Sequence, residues 1–224
     1  RHVFGIIGAG NVHIFDSIQR KGYTEIICTH HEQAACMAIQ TYYRTSGKIS
    51  AAILTTGAGS TNGITGVVSA WADSIPGIII SGNEHSKYVE SFKDLRMLGV
   101  QGYDSSFMVN KVTKYSKQVL KAGNVLYELK KALSFSLNGR PGPCWIDIPM
   151  DLQSKDLELR DMKIFVPEEL PELSLDSEEV MRQKIEEIMG LLNRSKRPVF
   201  WFGNGIRLSG GEHLLEDLLK KYEI

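Results

Sequence analysis

The feature that most constrains this chain is a repeated alternation: short apolar runs that end in glycine-containing turns, each followed by apolar residues at helical spacing. The runs are Val3 to Ile7, Glu25 to Cys28, Ala51 to Thr56, the GIIIS part of Ala72 to Asn83, and Cys144 to Ile148. Between them Ile14, Phe15 and Ile18 share a helical face, as do Ile64, Val67, Val68 and Trp71, and later Leu126, Leu129, Leu133 and Leu137. Neighbouring strands joined by helices must run parallel through right-handed crossovers. The pattern therefore predicts an α/β fold, an open and mostly parallel sheet with helices on both faces. Pro76 opens the fourth run, where a missing amide costs little. The polar stretch Glu84 to Ser106 loses periodicity and reads as a long surface or site loop.

Two turns invite a ligand. In TGAGSTNGITG, Thr56 to Gly66, Gly57 and Gly59 give access to backbone angles closed to other residues, and Ser60 or Thr61 is placed to cap the following helix. Such a turn lets a ligand or a second chain approach the backbone, or simply packs strand against helix. The other turn, Gly8 to Asn11, has two glycines after a strand and Glu32 about 20 residues on, in the manner of a dinucleotide-binding fingerprint. His13 stands where the third glycine of that pattern belongs, which weakens the match. Glu32 has a local explanation as well: Thr29 and Glu32 have the spacing of a capping box, and an acid suits the positive end of a helix. His30 and His31 are adjacent, so a regular helix cannot turn both toward one metal.

Composition narrows the partners. Lys plus Arg number 26 and Asp plus Glu number 26, so no net basic charge suggests nucleic acid or an anionic membrane. No apolar run approaches the roughly 18 residues of a membrane span, and RHVFG lacks a signal-peptide pattern, so a cytoplasmic location is expected. Cys28, Cys36 and Cys144 lie in apolar segments without a paired spacing and read as reduced core residues. Residues 1–155 form the expected first domain, and 156–175 an acidic linker with Pro167 and Pro171. Residues 176–224 begin a second α/β domain, with a helix through Met181, Ile185, Ile188 and Leu192, a strand from Pro198 to Phe202, the turn Gly203 to Gly211 and a helix to about Lys221. One strand and two helices cannot bury a core, so the natural chain is expected to continue past Ile224.

These pieces, in this order, resemble the thiamine diphosphate enzymes of the acetolactate synthase group. The motifs are FGIIGAGN at Phe4 to Asn11, HEQAACMA at His31 to Ala38, SGK at Ser46 to Lys48, TTGAGSTNGITG at Thr55 to Gly66, and WADSIPGIIISGN at Trp71 to Asn83. TKYS at Thr113 to Ser116, GRPGPCWIDIPMDLQ at Gly139 to Gln153 and RPVFWFGNGIRLSGGEHL at Arg197 to Leu214 continue the series. The resemblance implies a pyrimidine-binding domain followed by the start of a middle domain. It makes Glu32 the cofactor-activating acid, hydrogen-bonded to N1′ of the aminopyrimidine so that the thiazolium C2 proton can leave. It also implies 2-keto acid decarboxylation or carboligation, with Ile7, Gly8, Thr56, Gly57 and Gln101 near the cofactor. Ile7 stands where relatives usually have proline, Ala58 replaces the proline of their Gly-Pro-Gly turn, and Gly102 replaces the glutamate that commonly follows Gln101. Relatives bind diphosphate and Mg²⁺ through a Gly-Asp-Gly segment that this chain lacks, so at least a homodimer, or a homotetramer, is implied, with this fragment inactive alone. FAD, bound by some relatives in the middle domain, stays open. The alternative is a non-catalytic regulatory or assembly homologue that keeps the fold and the dimer face.

Overall fold

A computed structural model describes residues 1–91, 94–167 and 176–222, and it divides the chain into two compact units, Arg1–Leu170 and Pro171–Ile224. In the first unit β1 (His2–Gly5), α1 (Val12–Lys21), β2 (Glu25–Cys28), α2 (Glu32–Ser46), β3 (Ala51–Leu54), α3 (Ala58–Asn62), α4 (Ile64–Ala72) and β4 (Gly77–Asn83) come first. They are followed by α5 (Ser86–Ser91), α6 (Ser105–Met108), β5 (Tyr115–Gln118), α7 (Val125–Leu137), β6 (Pro143–Pro149) and α8 (Met150–Gln153). The six strands form one sheet in the order β2-β1-β3-β4-β6-β5, and every pairing is parallel. The expected α/β architecture is therefore present. Strand order reverses at β1, whose two neighbours are reached by crossovers in opposite directions. Such a switch point opens a crevice beyond the carboxyl ends of the strands.

Alternation along the strands feeds two cores. One buries Ala52, Leu54, Ile79 and Trp145 under Ala35, Cys36 and Ile39 of α2 and Val67 of α4. The other buries Ile78, Cys144, Ile146 and Ile148 with Ala132 of α7, and Leu129 packs against it. Close approach at the first core requires Gly66, where a Cβ would lie 2.5 Å from Cys36 Cβ. The edge strand β2 is not covered as the sequence suggested: Glu25, Ile27 and Cys28 are exposed. Cys28 is thus a surface thiol, while Cys36 and Cys144 are buried and all three are free.

Other expectations need correction. The helix after Thr56 is two helices, broken at Gly63, and Val68 and Trp71 are exposed. On α7 the most buried residues are Tyr127, Glu128, Ala132 and Ser136, whereas Leu133 and Leu137 are exposed. Small residues at that helix–sheet contact let the backbones approach, and Ser136 donates to Gly142 O at 2.7 Å and accepts from Gly77 N at 3.0 Å. The stretch Glu84 to Ser106 carries α5 and α6 rather than loop alone. The expected linker begins as packed chain: Phe165 is buried against Tyr127, with ring centroids 5.6 Å apart, and Lys163 N donates to Gly123 O at 2.9 Å. The rest of that linker, residues 168–175 with Pro171, lies outside the described residues.

The second unit contains α9 (Glu178–Arg194), α10 (Gly205–Leu208) and α11 (Glu212–Tyr222). Ser177 caps α9 by accepting from Val180 N at 3.3 Å. The strand expected at Pro198 to Phe202 does not form, and Val199 and Trp201 are almost fully exposed. A lone strand has nothing to pair with, and no other strand occurs among the described residues of this unit. Among the described residues no helix is long and apolar enough to cross a membrane.

Candidate active site

Three turns meet at the switch point. The β1–α1 turn is fixed by the fully buried Asn11, which accepts from Gly8 N at 2.8 Å and donates to Ile6 O at 3.0 Å. It is pressed against the end of β3. A Cβ on Gly8 would lie 2.4 Å from Thr55 Oγ1, and one on Gly10 only 1.9 Å from Thr56 Oγ1. Gly10 N also donates to Thr55 Oγ1 at 3.3 Å. These glycines are thus occupied by threonines of the protein itself, which explains them without a dinucleotide.

Thr55 is the wedge of the arrangement. Its Cγ2 faces Gly59, where a Cβ would come within 2.6 Å, so the same side chain touches the first turn and the start of α3. Gly57 takes φ 71°, in the left-handed region, and lets Gln101 lie against it: Gln101 O and Cβ are 3.0 Å and 3.1 Å from where a Gly57 Cβ would be. Neither Ser60 nor Thr61 caps the helix. Ser60 Oγ donates to Gly57 O at 2.8 Å and Thr61 Oγ1 to Ala58 O at 3.3 Å, leaving the first-turn amides to the Gly57 carbonyl.

Glu32 is the first residue of α2, and its setting differs from the capping box. His31 occupies the cap position in extended conformation, and Thr29 Oγ1 donates to His31 O at 3.1 Å instead of accepting a helix amide. The glutamate turns toward α3, where Asn62 Nδ2 donates to its Oε2 at 2.6 Å. Its Oε1 faces Gly59, and a Cβ there would sit 3.3 Å away. Beside the carboxyl is an open pocket of about 430 Å³ lined by Glu32, Ala58, Gly59, Thr61 and Asn62. One carboxyl oxygen is therefore tied down, and the other borders a space that only glycine leaves free. Below it, burial pushes the Cys36 thiol up to about 12, and the neighbouring Glu32 adds to the rise, so this cysteine stays protonated.

A buried polar network backs the site. Asp147 Oδ2, at zero exposure, accepts from Ser105 Oγ at 2.7 Å and Asn83 Nδ2 at 2.9 Å. Trp145 Nε1 donates to Ser81 Oγ at 2.8 Å and reaches Ser105 Oγ at 3.2 Å. Asn83 also donates to Tyr103 O at 2.8 Å, and the Tyr103 hydroxyl donates to Gly57 O.

Of the cofactor-site residues that the resemblance implied, Glu32 alone lines this pocket, together with Ala58, Gly59 and Thr61 of the glycine-rich turn. Gly57 precedes it, Gln101 packs on Gly57, Gly8 reaches it through Thr55, Thr56 is buried behind the turn, and Ile7 is exposed. Asn62, Thr55 and Asn11 were missed. Asn62 lies inside the glycine-rich stretch, six residues after Thr56, but nothing in spacing alone says that its amide meets Glu32.

Residues 1–107 match the family model described as thiamine pyrophosphate enzyme, N-terminal TPP binding domain. The acetolactate synthase large subunit of Haemophilus influenzae is 34% identical over 91% of this chain and 34% of its own length. That of Buchnera aphidicola, from Schizaphis graminum, is 30% identical over 99% of this chain and 37% of its own. The chain thus carries a thiamine pyrophosphate enzyme N-terminal domain of the acetolactate synthase group. A probable acetolactate synthase large subunit of Methanocaldococcus jannaschii is likewise 30% identical over 99% of the chain and 36% of its own length. The TPP-binding domain described here thus sits within a chain that spans about a third of the length of the relatives it matches.

Proposed function

We propose that this chain supplies the acid side of a thiamine diphosphate site in an enzyme that decarboxylates or ligates 2-keto acids. One observation carries the reading. Glu32 has one carboxyl oxygen held by Asn62 and the other bordering the space that Gly59 keeps open. A heterocycle nitrogen fits this donor set, because a carboxyl with a single free oxygen at a cavity wall can hold one proton at one atom.

When bound, the cofactor supplies an acidic thiazolium carbon and an electron sink for the keto acid. The chain's own residues orient and protonate. Glu32 would hold a proton at N1′ of the aminopyrimidine, and Asn62 would fix which oxygen does so. The turn Thr56 to Gly59, with Gln101 packed on Gly57, would help to hold the cofactor, and the resemblance adds Ile7 and Gly8 to the residues near it. Glutamate suits the task because aspartate would fall one methylene short from the same helix position. Among the described residues no group of three or more His, Cys, Asp or Glu could hold a metal ion. As the family resemblance implies, Mg²⁺ and the diphosphate would be bound by a segment outside this chain, and a second copy of the protein would complete the site.

The test is hydrogen–deuterium exchange at C2 of thiamine diphosphate, with Mg²⁺, in the complete natural protein and in Glu32→Gln. Fast exchange in the wild type and exchange slowed at least about 100-fold in the variant is the expected outcome, within the range for general acid–base groups. Equally slow exchange in both, with cofactor bound, would instead favour a non-catalytic homologue.

A further inference from the structure

Asp147 is a carboxyl that the cofactor chemistry does not use, buried where a charge is costly for folding alone. Its hydrogen bonds show what it holds. Oδ2 takes both Ser105 Oγ, at the start of α6, and Asn83 Nδ2, at the end of β4. The same Asn83 amide donates to Tyr103 O, so a single oxygen anchors the segment Tyr103–Ser105 at two points. The far end of that segment is pinned to the glycine turn, through the Tyr103 hydroxyl on Gly57 O and through Gln101 packed against Gly57. Gly57 O in turn accepts from Ser60 N at 3.0 Å and Thr61 N at 3.2 Å, within the first turn of α3. The chain of bonds thus runs from β6 to the glycine turn. Asp147 Oδ1 and Gln118 Nε2, at register-paired positions of β6 and β5, have no partner among the described residues.

We propose that Asp147 is a positioning residue for the thiamine turn: through Ser105, Asn83 and Tyr103 its carboxyl sets where Gly57, and Gln101 packed on it, stand at the entry to the turn that lines the Glu32 pocket. This rests on the thiamine reading above for what the turn binds, but the strut itself does not. Removing a link loosens the turn without touching the acid, so affinity falls while the proton-moving step, once cofactor is bound, keeps its rate.

The experiment uses the complete natural protein, with Ser105→Ala and Tyr103→Phe, singly and together, because Asp147→Ala opens a buried hole and can fail to fold. Three readouts are taken: thiamine diphosphate affinity by tryptophan fluorescence, C2 exchange at saturating cofactor, and backbone amide exchange of the peptide covering Gly57 to Thr61. Each single variant is expected to weaken affinity about 10-fold, speed amide exchange of the turn about 10-fold, and leave C2 exchange within about two-fold. The double variant should be no worse than the worse single one, since both cut one chain of bonds. Unchanged amide exchange, or additive losses, would overturn the strut. Faster amide exchange with unchanged affinity in a protein that binds cofactor would overturn its role toward thiamine. A wild type that binds no thiamine diphosphate, while Ser105→Ala still loosens the turn, would sink the thiamine reading and leave the strut standing.

Discussion

Asp147 also makes a quantitative demand on stability. Burial pushes its carboxyl up to about 8 from 3.8; hydrogen bonds from Ser105, Asn83 and Ser81 pull it down, and the nearby Asp104 pushes it up. The folded value is the raised one, so the folded chain keeps a proton that the unfolded chain has released between those two values. The associated stability is fully present below the unfolded value and is lost as pH rises toward the folded one. One proton is worth about 1.4 kcal/mol per pH unit, so between pH 5 and pH 7 this carboxyl alone removes about 3 kcal/mol. Asp147→Asn has no proton to lose and keeps an oxygen for Ser105 and Asn83. Urea unfolding of wild type and Asp147→Asn at pH 5, 6 and 7 isolates the group, because every other titration cancels in the difference. Trp145, hydrogen-bonded to Ser81 beside Asp147, is the natural fluorescent reporter. The variant's advantage should grow by about 3 kcal/mol across that interval. A difference that stays flat with pH would mean that Asp147 is already ionised in the folded chain, and the reasoning fails.

Three further outcomes follow from the packing. Gly82→Ala should destabilise by about 3 kcal/mol, read from the urea midpoint, as overpacking against backbone cannot relax. Its Cβ would fall 1.8 Å from Gly10 O, so wild-type stability would contradict that contact. Gly59→Ala, placing a methyl 2.6 Å from Thr55 Cγ2 and 3.3 Å from Glu32 Oε1, should cut thiamine diphosphate affinity at least about 10-fold through steric filling of the pocket; titration with the cofactor would expose an error if affinity held. Alkylation of the native protein near pH 8, followed by peptide mass spectrometry, should label the exposed Cys28 and spare Cys36 and Cys144, whose thiols burial pushes up to about 12. Equal labelling would show that the two cores open readily.

The sheet was legible in the sequence because period-two and period-3.6 patterns are local, and a parallel sheet needs only that they alternate. Errors arose where local pattern and tertiary packing diverge. The leucines of α7 have an ideal helical period, yet Ala132 and Ser136 are buried because the sheet there demands close approach. Val199 and Trp201 have strand-like composition, but a strand exists only with a neighbour. For the site, Glu32 was legible only through family resemblance; its own surroundings in sequence argued for a cap. Spacing gave no access to Asn62, Thr55 or the Asp147 network, since each acts through a contact between segments far apart in the chain.

The switch point has a kinetic corollary. Val3 pairs with Ala51 only after β2 and α2 have been looped out, and Gly8, Thr55 and Glu32 come together only when that non-local pairing closes. Such contacts form late and slowly compared with helices. A chain in which Glu32 has not reached Asn62 lacks the pocket, so any molecule that binds there selects that closed arrangement and stabilises it by mass action. A growing chain offered that molecule would be drawn toward the completed fold without any effect on the helices that form before it.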